Sequence, residues 1–360
     1  MALRKARAAV GAAPEVEAAA EELLGKGNAV DAVVAGVFAA CALSPGVLLG
    51  PVQILVGGAG AGLLAIDGRV RQPGIGAPRP RGFIREEEIP DAARVGVPWL
   101  PAALSVAIAT AGTATFNQVA SPGVALAKGT PRADVLKRIA SRGPAALVER
   151  PLVSELLAAA GRPSGGLLTT EDLGSPRPEV QRASRTVLTA PGEQANGKPR
   201  AETRRKRPHE DAPSVLVTFP WANVEGERPA PPAREVDVAR VRAVAAVDRN
   251  ATFAVACWDE STDGVAVAEL GLRAPFFAEP VRRGQTRVRP GDPRAAAGAV
   301  AMIGTVAPEL ALCVFGASDA YEVLARAIDG LLADDRLEAH GEARLVAVSH
   351  ANGTASVLRG

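Results

Sequence analysis

Apolar positions along this chain fall into blocks whose spacing switches between helical and alternating periods. In residues 15–24, Glu15, Glu17, Glu21 and Glu22 oppose Val16, Leu23 and Leu24, which predicts an amphipathic helix stopped by Gly25 and Gly27. Asn28 then caps a second helix, with Asp31 three residues on, near its positive end. That helix, residues 29–43, has almost no polar face. It belongs in the centre of a layered structure, packed directly on a sheet, and Pro45 ends it. Residues 52–56 and 63–66 read as strands, the second closed by an Asp67-Gly68 turn. The run GGAGAG between them lacks the spacing and the following helix of a dinucleotide loop, so close backbone packing or a ligand-facing turn at Gly57 and Gly58 accounts for it better.

Alanine-rich helices are expected at 102–111, 116–127, 133–140 and 152–160, then a turn and short helix at 165–173 with Thr170 as cap. From 181 to 232 the periodicity decays around the basic run Arg204, Arg205, Lys206 and Arg207, leaving a short apolar island at 215–221. Order returns after Val236. Strands are expected at 241–247 and 252–258 around Asp248-Arg249-Asn250, and at 299–303 and 310–315. A helix capped by Ser318 runs through Leu332, and a hairpin at 345–349 and 354–358 turns at Asn352-Gly353. Hairpins at both ends require antiparallel pairing, so the fold class is α+β, with helical layers over mainly antiparallel sheets. One domain over 1–360 is expected, with halves at 1–180 and 236–360 joined by a basic, proline-rich loop or linker at 181–235.

Composition narrows the chemistry. Hydrophobic residues make up 48% but aromatics only 3%, so the core is built from Ala, Val and Leu and little remains for stacking on bases. The net charge of +2 does not argue for nucleic acid. Cys41, Cys257 and Cys313 are scattered in apolar runs, which reads as buried thiols in a reducing compartment rather than a disulfide framework. The start lacks a signal-peptide core, and the longest apolar run, 32–43, falls short of the roughly 20 residues that cross a bilayer. The expectation is a soluble cytoplasmic protein with no membrane partner. His209, His340 and His350 are dispersed and form no metal motif, so no metal or other cofactor is expected.

Residues 23–67 resemble the amino-terminal part of gamma-glutamyltransferases (gamma-glutamyltranspeptidases), which are N-terminal-nucleophile hydrolases. GKGNAVDAVVAG is similar to that family's GGNAVDAAVA segment, and GGAGAG stands where the family has a glycine run before a strand. GVP at 96–98, PGVALAKG at 122–129 and GGLLTTEDL at 165–173 follow in the family's order. RVRAVAAVDRNATFAVACWD resembles the strand pair opening the small subunit, and SDAYEVLARAIDGLL its late helix. The resemblance implies a four-layer αββα sandwich and a threonine nucleophile freed by autocleavage, its own amine serving as base.

The departures bear on activity. Anchored on Asp248, the family's TTH falls on Val241, Arg242 and Ala243, and valine offers no nucleophile. The second threonine and the asparagine fall near 258–260, where Trp258, Asp259 and Glu260 stand instead. The carboxylate-holding arginine falls near Gly74, with Arg69 and Arg71 close by but off the match. The chain is also shorter than a full precursor.

Candidate ligand-binding residues are therefore Arg69, Arg71, Gly57, Gly58, Arg242, Asp259 and Glu260. Thr218 and Cys257 are the alternative nucleophiles, with strand packing and burial as their simpler explanations. The sequence points to a shortened, unprocessed pseudoenzyme that binds a small anionic or amino-acid-like ligand or a protein. The alternatives are a gamma-glutamyl or amide hydrolase or acyltransferase with a relocated nucleophile, and a structural subunit in a homo-oligomer or beside an active paralogue.

Overall fold

The computed structural model describes residues 7–58, 61–78, 82–174, 176–188, 214–221, 224–225, 228–229, 241–260, 262–294, 300–315, 320–334, 344–351 and 353–359. Strand β1 (Ala8–Gly11) leads into helices α1 (Pro14–Lys26) and α2 (Ala29–Leu43), then the hairpin β2 (Val52–Gly58) and β3 (Gly62–Gly68). Helices α3 (Leu100–Ala111), α4 (Phe116–Leu126), α5 (Arg132–Arg142), α6 (Leu152–Ala160) and α7 (Thr170–Gly174) follow. Strands β4 (Val180–Arg182), β5 (Ser184–Leu188), β6 (Ser214–Thr218), β7 (Val224–Glu225) and β8 (Arg228–Pro229) come next. The remainder is β9 (Val241–Val247), β10 (Phe253–Asp259), β11 (Gly264–Val267), β12 (Leu272–Pro275), β13 (Val300–Gly304), β14 (Pro308–Phe315), α8 (Ala320–Asp334), β15 (Arg344–Ala351) and β16 (Thr354–Arg359).

Two six-stranded antiparallel sheets form the centre, ordered β1-β9-β10-β2-β3-β4 and β16-β15-β14-β13-β6-β5. The first sheet shows why the architecture has four layers. Ile54, Val56, Val244 and Ala246 pack with the helices, while Leu55, Ala65, Ala243 and Ala245 pack towards the second sheet. Side chains alternate across a strand, so one sheet serves two cores. Helix α8 adds Val323, Leu324, Ala327 and Ile328 to the second core from the far side. Helix α2 is buried from Ala29 to Ala42 and packs on β9 and β10, as its missing polar face predicts.

Several local expectations are corrected. Gly25 lies inside α1, which ends at Gly27. Asp67 and Gly68 are not a turn: they pair with Gln53 and Val52 as the last residues of β3. A β-carbon at Gly68 would sit 2.6 Å from the Ala103 methyl group, so glycine there lets α3 approach the sheet. Thr169, not Thr170, caps α7; its hydroxyl accepts from the Asp172 N–H at 3.0 Å. Within 181–235, residues 184–188 and 214–218 are strands of the second sheet. The basic run at Arg204–Arg207, His209, His340, Ser318 and Asn352 lie outside the described residues. The β11–β12 hairpin was not anticipated from the sequence pattern. Among the described residues, no helix is long and apolar enough to cross a membrane.

Candidate functional site

The register of the first sheet assembles the candidate site. Val241, the first residue of β9, stands directly opposite Asp259, the last of β10. One step inward, Ala243, Cys257, Gln53 and Asp67 form a row across β9, β10, β2 and β3. Ala243 and Cys257 belong to the core between the sheets, and Gln53 and Asp67 lie two residues from Leu55 and Ala65, which do too. The whole row therefore faces the second sheet, with Val241 and Asp259 at its mouth. Val241 is 1% exposed and Asp259 7% exposed.

Asp67 organises the β3 side. Arg69 donates from Nε to Oδ1 at 2.9 Å and from Nη2 to Oδ2 at 2.8 Å, and Arg71 Nη2 reaches the same Oδ2 at 2.8 Å. Both guanidinium groups also lie over indole rings, Arg69 at 4.7 Å from the Trp221 centroid and Arg71 at 3.9 Å from Trp99. Burial alone would raise the Asp67 pKa, but the hydrogen bonds and charge of Arg69, with the charge of Arg71, outweigh it and hold it below the ordinary carboxylate value. The two arginines singled out by sequence are thus brought together, but around an internal carboxylate.

Trp221 stacks on Phe219, with centroids 5.2 Å apart, and this links Arg69 to the end of β6. Thr218 precedes that stack. It is 2% exposed, and its Oγ1 is buried without a hydrogen-bond partner. Arg242 pairs with Glu260 at 3.2 Å and donates to its neighbouring Val241 carbonyl at 3.0 Å. Burial raises the Glu260 pKa, against the lowering effect of the Arg242 charge.

Gly57 and Gly58 sit elsewhere. Gly57 pairs with Phe253 and Leu63, at the end of β2 opposite Val52, whereas Arg69, Val241 and Asp259 lie at the Val52 end. A β-carbon on Gly57 would lie 2.7 Å from Pro308 and 2.9 Å from the Met302 sulfur, so its contact is with the second sheet. Cys257 is 1% exposed, its sulfur 3.9 Å from the Gln53 carbonyl. The described residues contain no cluster of His, Cys, Asp or Glu able to hold a metal.

The most recognisable sequence motifs do structural work. Asn28 and Asp31 form a capping box on α2, with Asp31 accepting the Asn28 N–H at 2.8 Å. Asp31, fully buried, also accepts from the Thr113 hydroxyl at 2.6 Å and the Ala114 N–H at 3.1 Å, which ties α2 to the α3–α4 turn. Asp248 takes the Ala29 N–H at 3.3 Å and the Asn250 and Thr252 N–H groups, fixing the β9–β10 turn against the same helix. Asp172 accepts the N–H groups of Gly74 at 2.9 Å, Ile75 at 3.0 Å and Thr169 at 3.0 Å, so it anchors the loop into which the family's arginine would fall. Burial raises the Asp172 pKa against these hydrogen bonds. Sequence reasoning passed over Asp67, Gln53 and Trp221. The alternation Asp67, Arg69, Arg71 was the available signal, since alternate residues share a strand face.

No family model matches the chain, and no curated protein matches it. Solved structures do. A cephalosporin acylase from Bacillus halodurans aligns over 99% of this chain and 96% of that one, with 14% identity and a TM-score of 0.67. Two structures of LmbA2991 align over 98% of this chain and 96% of theirs, at 12% identity and a TM-score of 0.70. A gamma-glutamyltranspeptidase from Pseudomonas nitroreducens, complexed with L-DON, aligns over 59% of this chain and 71% of that chain, at 21% identity and a TM-score of 0.45. At these identities the near-complete alignments speak to fold. With its two antiparallel sheets between helical layers, the chain has the fold of the N-terminal-nucleophile hydrolases.

Proposed function

We propose that this chain is a gamma-glutamyltransferase-like protein that is uncleaved, does not catalyse acyl transfer, and works by binding a small anionic or amino-acid-like ligand. The observation that carries this reading is Val241. It stands at the first position of β9, buried opposite Asp259 at the mouth between the sheets, where the resemblance calls for a threonine. An isopropyl group supplies neither a hydroxyl to attack a carbonyl nor a route to self-cleavage. The cations at this mouth are paired, Arg69 and Arg71 with Asp67 and Arg242 with Glu260, but the buried Arg71 Nε has no hydrogen-bond partner and is free to donate to an anionic ligand.

A second reading rests on Thr218, whose buried hydroxyl has no hydrogen-bond partner and lies three residues from the Trp221–Arg69 contact. It makes the protein an amide hydrolase or acyltransferase with a relocated nucleophile. One experiment separates the two. Purified protein is run on a denaturing gel and incubated with a chromogenic gamma-glutamyl anilide. A single full-length band and no chromogen release are expected. Two fragments, or release that disappears in Thr218→Ala, would overturn the non-catalytic reading.

A further inference from the structure

The chain changes sheets at a single residue. Strand β4 lies on the outer edge of the first sheet beside β3, and β5 on the outer edge of the second beside β6. Ala183 stands between them, buried, and its N–H donates to the Leu63 carbonyl at 3.1 Å, which fixes where β5 begins. Among the described residues, β6 is the only strand that pairs with β5. Alternate N–H and C=O groups of β5 therefore point away from β6 with no strand to meet them. Edge strands are ordinarily blunted by proline, a bulge or very short length, and none of these interrupts the five residues of β5.

Side chains and charge say what this edge would accept. Val187 stands opposite Val215 and Arg185 opposite Val217, so each shares a sheet face with its partner. That face looks at the first sheet: Val217 is opposite Met302, whose sulfur approaches Gly57. Val215 and Val217 are buried in the inter-sheet core, whereas Val187 is 57% exposed. A strand added to β5 would continue the apolar row and cover Val187. The charge is one-sided. Arg177, Arg182 and Arg185 are exposed and have no acidic partner among the described residues. Glu179, the acid of this stretch, accepts from Gln181 Nε2 at 2.6 Å. The other outer strands are closed to a partner in different ways. All four residues of β1 are buried, β4 has three residues, and the Arg359 guanidinium of β16 is paired with Glu17 at 2.8 Å.

We propose that β5 receives an extended acidic segment of a partner protein as a seventh strand of the second sheet. Main-chain hydrogen bonds to the open side of β5 supply the affinity, and alternate side chains supply the selection. An apolar side chain lies beside Val187, and a carboxylate two residues away, on the same face, meets the Arg185 guanidinium through paired N–H donors. Ser184 and Thr186, on the opposite face, favour small hydroxyl side chains across from them. The proposal goes beyond the non-catalytic reading and stands whether or not Val241 or Thr218 takes part in chemistry.

The test is fluorescence polarisation of the intact protein with three labelled octapeptides. The first is Val-Thr-Glu-Thr-Val-Thr-Glu-Thr, the second replaces Glu with Lys, and the third is the first with every backbone nitrogen methylated. The acidic peptide is expected to bind with a dissociation constant on the order of 100 µM or tighter, and the other two at least about tenfold more weakly. Amide exchange at residues 184–188 is expected to slow when it binds. Arg185→Glu alters an exposed side chain. It is expected to keep the native far-UV spectrum, to weaken the acidic peptide roughly tenfold or more, and to prefer the lysine peptide. Absence of saturable binding by the acidic peptide overturns the proposal. So does equal binding of the methylated peptide, which would leave charge attraction alone, or unchanged amide exchange at 184–188, or unchanged binding in Arg185→Glu. A concentration-dependent dimer that Val187→Ser abolishes would overturn it as well, by making a second copy of this chain the occupant. The gel and chromogen assay is untouched by these outcomes, so the two proposals fail separately.

Discussion

Asp67 and Arg69 form a two-point ion pair, Nε to Oδ1 at 2.9 Å and Nη2 to Oδ2 at 2.8 Å, and Arg71 shares the second oxygen. The pair closes the edge of the inter-sheet mouth from the β3 side. The Asp67 side chain is 3% exposed and that of Arg71 is 6% exposed. Removing the carboxylate therefore strands a buried cation. Asp67→Ala is expected to lower stability by about 3–5 kcal/mol in urea denaturation, far more than an exposed ion pair would give. A loss under about 1 kcal/mol would mean that solvent, not Asp67, neutralises the arginines.

The same pair sets a pH dependence. Asp67 has a lower pKa folded than unfolded. Its contribution is therefore fully present above the ordinary carboxylate value near 4 and is lost as pH falls through the folded pKa. The stability difference between the native protein and Asp67→Asn should be constant from about pH 7 to 5 and shrink below about pH 4. Urea midpoints at each pH check it, and a gap that widens in acid would refute the sign.

Asp31 makes the signature segment a stability element. It collects N–H groups from Asn28, Thr113 and Ala114 and the Thr113 hydroxyl, all at a fully buried site. Asp31→Ala leaves several buried donors unsatisfied, and a loss of about 3 kcal/mol or more is expected in thermal or urea unfolding. Amide exchange at Thr113 and Ala114 should rise with it.

How much of this was legible in the sequence follows the range of the interactions. Asn28 and Asp31 are three residues apart, so their capping box and the all-apolar helix behind it could be read directly. Asp67-Gly68 could not, because its dipeptide favours a turn while its pairing with Val52 and Gln53 and the approach of Ala103 favour a strand. Tertiary contacts won. Strand β6 is paired with Met302–Gly304, more than 80 residues on, and nothing local announces such a partner. The site divided in the same way. Register places Arg69, Val241 and Asp259 at one end of the sheet and Gly57 and Gly58 at the other, and register between distant strands is not written in either segment alone.

The thiols offer a check on the inter-sheet core. Cys41, Cys257 and Cys313 are all buried. Burial pushes the Cys41 and Cys313 thiols upwards, and for Cys313 the neighbouring Cys257 adds to the shift. A thiol that stays protonated and enclosed does not react. Ellman's reagent is expected to label none of the three in the native protein and all three in denaturant. Rapid native labelling at Cys257 would instead return it to consideration as a nucleophile.

Thr218 gives the sharpest division between a structural and a chemical role. Its side chain is buried at the end of β6, between Val217 and Phe219 in the chain, and its hydroxyl has no hydrogen-bond partner. Such a group costs free energy in the folded state, and Thr→Val swaps it for a methyl of nearly the same shape. If Thr218 only packs, Thr218→Val is expected to stabilise the protein by about 0.5–1.5 kcal/mol and leave the single band on a denaturing gel unchanged. If it is a working nucleophile, the unsatisfied hydroxyl is a strain kept for chemistry. The same variant then gains stability but loses chromogen release or fragmentation that the native protein shows. A destabilised variant would contradict both readings, since it would require the hydroxyl to have a partner in the folded protein.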